Sequence, residues 1–562
     1  MIFLWLFLQT ESKGANELGY PVKIFLDSDP LIFITTILSS RSLEHILYLA
    51  IVVIIATAVL GRVFCGWLCP FGSLQQLTGY LWNRKKTVAE KIKNNRYREL
   101  QNVKYYILVL FLVMALLPRS AVSVQTGLLD PISLMTRTVN LFLLPAAGMA
   151  TNISAFAGRY YEEAWFIMIV FVTAVLLNLA VPRFYCRIIC PLGALMGIMS
   201  RFAIFRVGKN NNACTDCKNC EDHCEGACEP NGVIRTAECV MCLNCRDRCG
   251  PDVIDYGTKP STAGETASPG ISRKGFLVSI ASGLFAMPGF RLARQFDTNF
   301  DHTIIRPPGA LDEDEFMKRC IKCGQCIRVC PTNVLQPGGV EGGFENLWTP
   351  VLNNRIGSSG CQHNCVACAQ VCPTAAIRPI TIGEKHGTGR FKEQGFIRIG
   401  TAFVDRNRCL PWDMNRPCIV CQENCPVSPK AIYTDEIFST IRGGEVTVQS
   451  MANTTINITG GELLPSGVTS GDYFCLNRQN IRRKISSWTA ETVVLSPGGV
   501  YSVSRGERIA IQVRLQRPFV DIELCNGCGV CEHECPVSGK RAIRVSGIGD
   551  TRSTRRALLL NR

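Results

Sequence analysis

Twenty-four of the 30 cysteines fall into six runs of four. Cys214, Cys217, Cys220 and Cys224 form the first, and Cys239, Cys242, Cys245 and Cys249 repeat its Cys-x2-Cys-x2-Cys-x3-Cys spacing. Four more follow, each ending in Cys-Pro: Cys320/Cys323/Cys326/Cys330, Cys361/Cys365/Cys368/Cys372, Cys409/Cys418/Cys421/Cys425 and Cys525/Cys528/Cys531/Cys535. Short loops of this spacing wrap thiolates around iron. A disulfide framework scatters its cysteines instead, so the runs predict six [4Fe-4S] clusters. The wider gaps at 361 to 365 and 409 to 418 require longer loops.

Two further pairs break the pattern. RVFCGWLCPFGSL (62 to 74) carries Cys65 and Cys69, and RFYCRIICPLGAL (183 to 195) carries Cys186 and Cys190, each after an apolar run. Four thiols suffice for one more cluster, which would be the seventh. Pro70 and Pro191 stop a helix and lack an amide hydrogen, leaving the backbone free to curl around a ligand. The competing explanation is small buried residues at helix ends; recurrence of the whole R-x-aromatic-C-x3-C-P-x-G-x-L pattern speaks against it.

The elements that must position these thiols differ along the chain. Apolar segments crowd the first 200 residues, whereas 26 of the 30 cysteines lie after residue 213. Ile46 to Val63 and Trp165 to Val181 are nearly uncharged runs approaching the ~20 residues of a membrane span. Tyr105 to Leu117, extended by Ala121 and Val122 across Pro118 and Arg119, reads as a third, and Met1 to Leu8 as the last turns of a helix. Arg84, Lys85, Lys86, Lys91, Lys93, Arg96, Arg98 and Lys104 fill one loop, the positive-inside signature of a cytoplasmic face. The formal charge of +15 therefore points to a membrane loop and not to nucleic acid. Asp29-Pro30-Leu31 precedes an apolar stretch, a span and Cys65/Cys69, and Asp130-Pro131-Ile132 precedes the same series ending in Cys186/Cys190. This two-helix unit used twice in one orientation is a parallel repeat. It predicts that the four thiols converge near one axis at the cytoplasmic face.

Lys259 to Ser272 is a Ser/Thr/Gly/Pro linker, and SRKGFLVSIASGLFAMPGF after it has the basic start and short apolar run of an export signal. If this segment crosses, everything from about Arg291 lies outside. Residues 437 to 520 alternate as β-strands do and predict an inserted β-rich module; Cys475 within it is expected to be a buried, inert thiol. His363 and His533 are expected to be solvated loop residues. Trp5, Trp67, Trp82 and Trp165 fit an aromatic belt. No Cys-x-x-Cys-His, dinucleotide loop or P-loop occurs, so the expected cofactors exclude attached haem, flavin and nucleotide.

The first two runs resemble a two-cluster ferredoxin module, in which the fourth cysteine of each run serves the other cluster. That resemblance implies Cys214, Cys217, Cys220 and Cys249 for one cluster and Cys239, Cys242, Cys245 and Cys224 for the other, with Cys228 competing for the place of Cys224. Residues 1 to 255 resemble the membrane iron-sulfur subunit of periplasmic nitrate reductase systems, the NapH type with paired CxxxCP motifs that NosR shares. Residues 272 to 562 resemble the exported four-cluster ferredoxins of the NapG/MauM type, and Ser272 to Leu277 resembles a twin-arginine signal with Lys274 for the second arginine. The four-cluster resemblance implies nested pairs: Cys320, Cys323 and Cys326 with Cys535; Cys525, Cys528 and Cys531 with Cys330; Cys361, Cys365 and Cys368 with Cys425; Cys409, Cys418 and Cys421 with Cys372.

The expected fold is a membrane α-helical bundle with an internal two-helix repeat (1–205), joined to a cytoplasmic two-cluster module (206–258). A linker and signal-like helix (259–290) leads to a four-cluster α+β ferredoxin-like domain (291–436 and 521–562), interrupted by the β-rich insert (437–520). The resemblance implies a quinol dehydrogenase of the bacterial inner membrane, passing electrons from the quinone pool to periplasmic or membrane redox subunits. Its rivals are a quinone-independent wire from a cytoplasmic donor and a metalloenzyme assembly or maintenance factor. Cluster potentials range from about −700 to +450 mV with environment, so the direction of flow is not written in the spacing.

Overall fold

The computed structural model describes residues 22–41, 48–116, 126–146, 164–266, 270–295, 304–339, 343–464 and 472–552, with isolated positions before residue 7 and between 159 and 162. Residues 46, 47 and 117–125, invoked above for the spans, lie outside these. The chain divides into two units, Met1–Asn353 with Asn364–Ile397, and Asn354–His363 with Arg398–Thr551, each with a few residues from the C-terminal end.

In the first unit, both halves of the repeat begin with a half-length helix capped by aspartate. Helix α1 (Pro30–Ser40) starts at Asp29, which accepts from Leu31 N (2.8 Å) and Ile32 N (3.2 Å). The matching Asp130 accepts from Ser133 N (2.7 Å) ahead of Pro131–Thr138, and that helix continues as a π-turn to Leu143. An acceptor at the cap and proline at the first helical position satisfy the orphan amides of a helix start, so the Asp-Pro dipeptide is a start signal used twice. The longer helices are α2 (Tyr48–Leu60), α3 (Pro70–Asn83), α4 (Val103–Leu116), α5 (Pro131–Thr138, the helix just described), α6 (Ala164–Leu176), α7 (Pro191–Met199) and α8 (Arg273–Gln295).

Only the helical stretch Val88–Leu116, which ends in α4, is both long and apolar enough to cross a membrane among the described residues. Helices α1, α2 and α6 with its extra turn to Leu179 are apolar but shorter. The sixteen-residue run from Ala164 to Leu179 spans about 24 Å at 1.5 Å per residue. The signal-like segment is a helix, α8, lying parallel to α4. A Cβ on Gly275 would lie 2.6 Å from the Tyr106 ring and one on Gly283 3.0 Å from Val113, so only glycine permits this approach.

Two small α+β modules flank the helices. The first (206–258) is tied by an antiparallel ribbon of Arg206–Lys209 with Ile254–Gly257. Its loop at 236–241 docks on the helices: Arg62 Nη1 donates to Ala237 O (2.8 Å), Trp67 Nε1 to Met241 O (2.9 Å), and Tyr105 Oη to Glu238 Oε1 (2.9 Å). The second module, around 304–352 and 364–397, meets the helices elsewhere. Arg137 Nη1 donates to Lys322 O (3.0 Å), Ser39 Oγ to Lys318 O (3.0 Å), and the Phe166 ring sits 5.5 Å from Trp348. Helix α6 therefore starts at the second module, and the chain beyond its end reaches the first, where Arg183 Nε donates to Glu225 Oε2 (2.7 Å).

In the second unit the insert is a closed six-stranded barrel. Its strands are β1 (Ile432–Ala452), β2 (Thr455–Thr459), β3 (Tyr473–Leu476), β4 (Arg482–Trp488), β5 (Thr492–Leu495) and β6 (Arg508–Val520), in the order β3-β4-β5-β2-β1-β6. It begins at residue 432, five residues before the alternation read from sequence. Closure removes the open strand edges that an exposed sheet would leave for aggregation. Cys475 is fully buried in the barrel and accepts from Tyr501 Oη (2.9 Å), the packed role expected of it.

Candidate iron-sulfur sites

In the first module the thiols stand in two groups of four. Cys249 neighbours Cys214, Cys217 and Cys220, while Cys224 neighbours Cys239, Cys242 and Cys245. Cys228 enters the second group too: its sulfur lies 3.3 Å from that of Cys224 and also hydrogen-bonds Cys239. Acting as the S–H donor, Cys228 holds both neighbouring thiols below the ordinary thiol range, and the same bonds raise its own. This makes Cys228 a hydrogen-bonding neighbour to the ligand candidate Cys224.

The outer runs do not nest as expected. Cys372 stands beside Cys320, Cys323 and Cys326, so the place assigned to Cys535 is taken by Cys372. Cys535 neighbours Cys409, Cys418 and Cys421 instead, and Cys425 neighbours Cys525, Cys528 and Cys531 in the place assigned to Cys330. The helix Gln325–Val329, which ends at Cys330, packs against Ala367–Gln370, so Cys330 rather than Cys425 accompanies Cys368; Cys361 belongs to the second unit, where its N donates to Cys528 O (2.7 Å). The runs thus pair first with second and third with fourth. The cause is the barrel. Its first and last strands pair antiparallel from Thr440↔Gln512 to Ile432↔Val520, so the chain leaves just after Cys425 and returns just before Cys525. The 89 residues from Ile432 to Val520 become, for the thiols, a tight turn.

The two CxxxCP motifs have one shape. Each begins as a π-turn, Phe64–Leu68 or Tyr185–Ile189, holding the first cysteine. Each ends with the second cysteine as N-cap of the next helix, Cys69 Sγ accepting from Gly72 N (3.4 Å) and Cys190 Sγ from Gly193 N (3.2 Å). Single π-turns concentrate at functional positions, and a helix N-terminus favours a thiolate. The sequence-distant pairs come together: Cys69 neighbours Cys65 and Cys186, and Cys190 neighbours all three others. The site is packed within the helical core. Helix α3 runs alongside the second half of α6, with Phe71 5.8 Å from Phe171 and Gln75 Nε2 donating to Ala174 O (2.9 Å). Cys69, which begins α3, is therefore level with the middle of α6. Both Cys69 and Cys190 are buried, because the π-turns fold the chain back into the helical core.

Two carboxyls that the sequence marks only as helix starts meet at the same depth. Asp29 and Asp130 are fully buried and within electrostatic reach of one another. Tyr185 Oη donates to Leu129 O (2.6 Å) between them and the thiols. His363 and His533 have hydrogen-bonding partners in the second unit, Asn526 Nδ2 (3.3 Å) and Asn354 O (3.1 Å).

Among the described residues no three Cys, His, Asp or Glu side chains are placed to hold a single metal ion, and the donor set fits a cluster better. It is all thiol, and burial pushes Cys320 and Cys409 up to about 11 and Cys421 and Cys528 up to about 12. Thiols so far from water ionise only against a strong local positive charge, which iron supplies.

Comparison with known proteins agrees. Residues 45–88 and 163–210, which contain both CxxxCP motifs, match the family described as 4Fe-4S binding domain. Residues 319–376 match the 4Fe-4S dicluster domain, the same span that joins the first and second outer runs. A multi-cluster ferredoxin-type electron-transfer protein is thereby defined. Its relatives include the putative electron transport protein YccM of Escherichia coli, 32% identical over 34% of this chain and 49% of that protein. An uncharacterised protein of Methanocaldococcus jannaschii is 30% identical over 44% of the chain and 95% of its own length. The ferredoxin-type protein NapG of Escherichia coli is 32% identical over 30% of the chain and 68% of its own length. The chain belongs with these NosR/NapH/NapG-type iron-sulfur proteins, as a fusion of the two kinds. It spans about half the length of YccM and about a quarter of NosR from Pseudomonas aeruginosa. No solved structure matches.

Proposed function

We propose that the protein is a membrane-bound electron conduit that oxidises a quinol and relays the electrons through [4Fe-4S] clusters, six in the cysteine runs and a seventh at Cys65, Cys69, Cys186 and Cys190. The observation that carries this is the position of the four-cysteine site. On one side Arg183 lies within electrostatic reach of both Cys186 and Cys242 of the first module. On the other, Arg137 stands within reach of Tyr185 and of Cys320 and Cys323 of the second. One hydrophobic core runs continuously from Cys69 and Cys190 to Ile321 and Cys323. A site between two cluster modules, buried from water, is where an electron relay is useful and an exposed ion is not.

Exposed apolar side chains support the membrane placement: Val52, Ile55, Trp165, Ile169, Leu277 and Phe285 all point away from the helical core, a surface that water would not tolerate at this extent. Parallel packing of α4 and α8 supports a crossing in the same direction, and in this reading the module at 206–258 faces the cytoplasm and the chain after 295 the periplasm, where it meets its redox partner. A second reading, electrons entering from a soluble cytoplasmic donor, is favoured by the exposure of Cys217 at the outer edge of the first module.

The test is a Cys69→Ala/Cys190→Ala variant in sealed vesicles with a reductant on one side. In the parent protein both modules become reduced; in the variant only the module facing the reductant does. Reduction of both at the parental rate would eliminate the relay.

A further inference from the structure

A cavity of about 470 Å³ opens where α3 meets the first cluster module. Gln76, Gly79, Tyr80 and Asn83 line it at the spacing of one helix face. Leu77 and Leu81, each one residue further on and so about 100° round the helix, are exposed, as is Trp82. Apolar surface therefore runs beside the cavity up to the last turn of α3, and Arg84 follows at its end. The other walls carry Lys91, from the helix Val88–Asn95, and Asp222, His223, Glu225 and Arg248 of the module.

The charges of this lining do not balance. Four cations, Arg84, Lys91, Arg183 and Arg248, stand against the carboxylates of Asp222 and Glu225, an excess of two positive charges. Arg183 Nε holds Glu225 Oε2 at 2.7 Å, which neutralises that pair. Asp222 is mostly buried, 3.4 Å from His223 Nε2, and offsets one of the other three cations at most. Arg248 Nη2 donates to the same ring nitrogen (2.8 Å). Arginine can only donate, so the ring's proton sits on Nδ1 and the histidine is neutral. Among the described residues Arg84, Lys91 and Arg248 have no ion-pair partner, and Lys91 and Arg248 both lie within electrostatic reach of His223. Like charges gathered in a partly enclosed space repel, and an anion between them removes that repulsion.

We propose that this cavity binds the phosphate group of an acidic phospholipid, whose acyl chains lie along Leu77 and Leu81. A free phosphate ion shares the head-group chemistry but makes no use of the apolar stripe beside the cavity. A zwitterionic phospholipid brings its own cation, which would face Arg84 and Lys91. Basic pockets between helices at the cytoplasmic side suit acidic head groups. Held there, the phosphate joins Arg84 and Lys91 of the helical part to Arg248 of the module. The site rests on the membrane placement proposed above.

The test is titration calorimetry of the full-length protein in a nonionic detergent, with dioctanoyl phosphatidylglycerol, dioctanoyl phosphatidylcholine and inorganic phosphate as separate ligands. Phosphatidylglycerol is expected to bind about tenfold more tightly than either of the others. Arg84→Gln and Lys91→Gln should each weaken it about tenfold, the scale of one lost hydrogen bond to a charged group. Arg84 is exposed and Lys91 half-buried, so neither change disturbs the core, and iron content should match the parent. Lys85→Gln, exposed on the same loop but outside the cavity lining, should bind as the parent does. Equal affinity for phosphatidylcholine, or an equal loss in Lys85→Gln, would show unselective adsorption and overturn the site. Inorganic phosphate binding as tightly as the lipid would mark a soluble-anion site and overturn the lipid assignment. Release of the protein from membranes by carbonate without detergent would overturn the membrane placement itself, whereas a protein retained there without this selectivity overturns the site alone.

Discussion

Replacing Lys104 by methionine should loosen the first cluster module from the helices. Lys104 and Glu238 form an ion pair with side chains 0% and 5% exposed, and the same carboxylate accepts from Tyr105 Oη (2.9 Å) and Gln101 Nε2 (3.3 Å). Removing one partner of a buried pair costs about 3–5 kcal/mol because the other charge stays buried. With two neutral donors remaining on Glu238, the lower end of that range applies. At 1.4 kcal/mol per tenfold, about 3 kcal/mol shifts the undocking equilibrium by roughly two orders of magnitude. Hydrogen exchange of the backbone amides at 236–242 reads this directly, and those amides should exchange faster by about that factor. The double variant Lys104→Met/Glu238→Leu, which removes both charges, should recover much of the loss. Unchanged exchange in Lys104→Met, or a double variant as loose as the sum of the singles, would show that the pair does not hold the module.

Other outcomes follow from the sites. Iron analysis of anaerobically prepared protein should give about 24 iron per chain from six cubanes, or about 28 with the four-cysteine site filled; a value near eight would contradict the cluster assignment. Paramagnetic spectra should show Cys372→Ala losing the same cluster signal as Cys323→Ala, and Cys535→Ala the same signal as Cys418→Ala. Shared loss between Cys535→Ala and Cys323→Ala would restore the nested pairing. A membrane-impermeant label applied to intact cells stripped of their outer membrane should reach positions in 437–520 and spare those in 214–249, and labelling of both would refute the crossing.

Cluster chemistry was legible from spacing because its determinants are local. A Cys-x2-Cys-x2-Cys loop needs only its own few residues to present three thiolates, so the runs could be identified without knowing any distant neighbour. Helix starts were local in the same way: Asp-Pro before α1 and α5 and Cys-Pro before α3 and α7 each combine a side-chain acceptor with a residue that has no amide to satisfy. The parallel repeat was visible because these signals recur in one order.

Which fourth cysteine joins which run was not legible, because it depends on how far apart the runs stand in space. Cys425 and Cys525 are 100 residues apart in the chain, and only the pairing of β1 with β6 brings them together. Depth escaped the sequence for a similar reason. Hydropathy reports where an apolar run ends, but two π-turns carry Cys69 and Cys190 back inside, and only the packing of α3 against α6 reveals it.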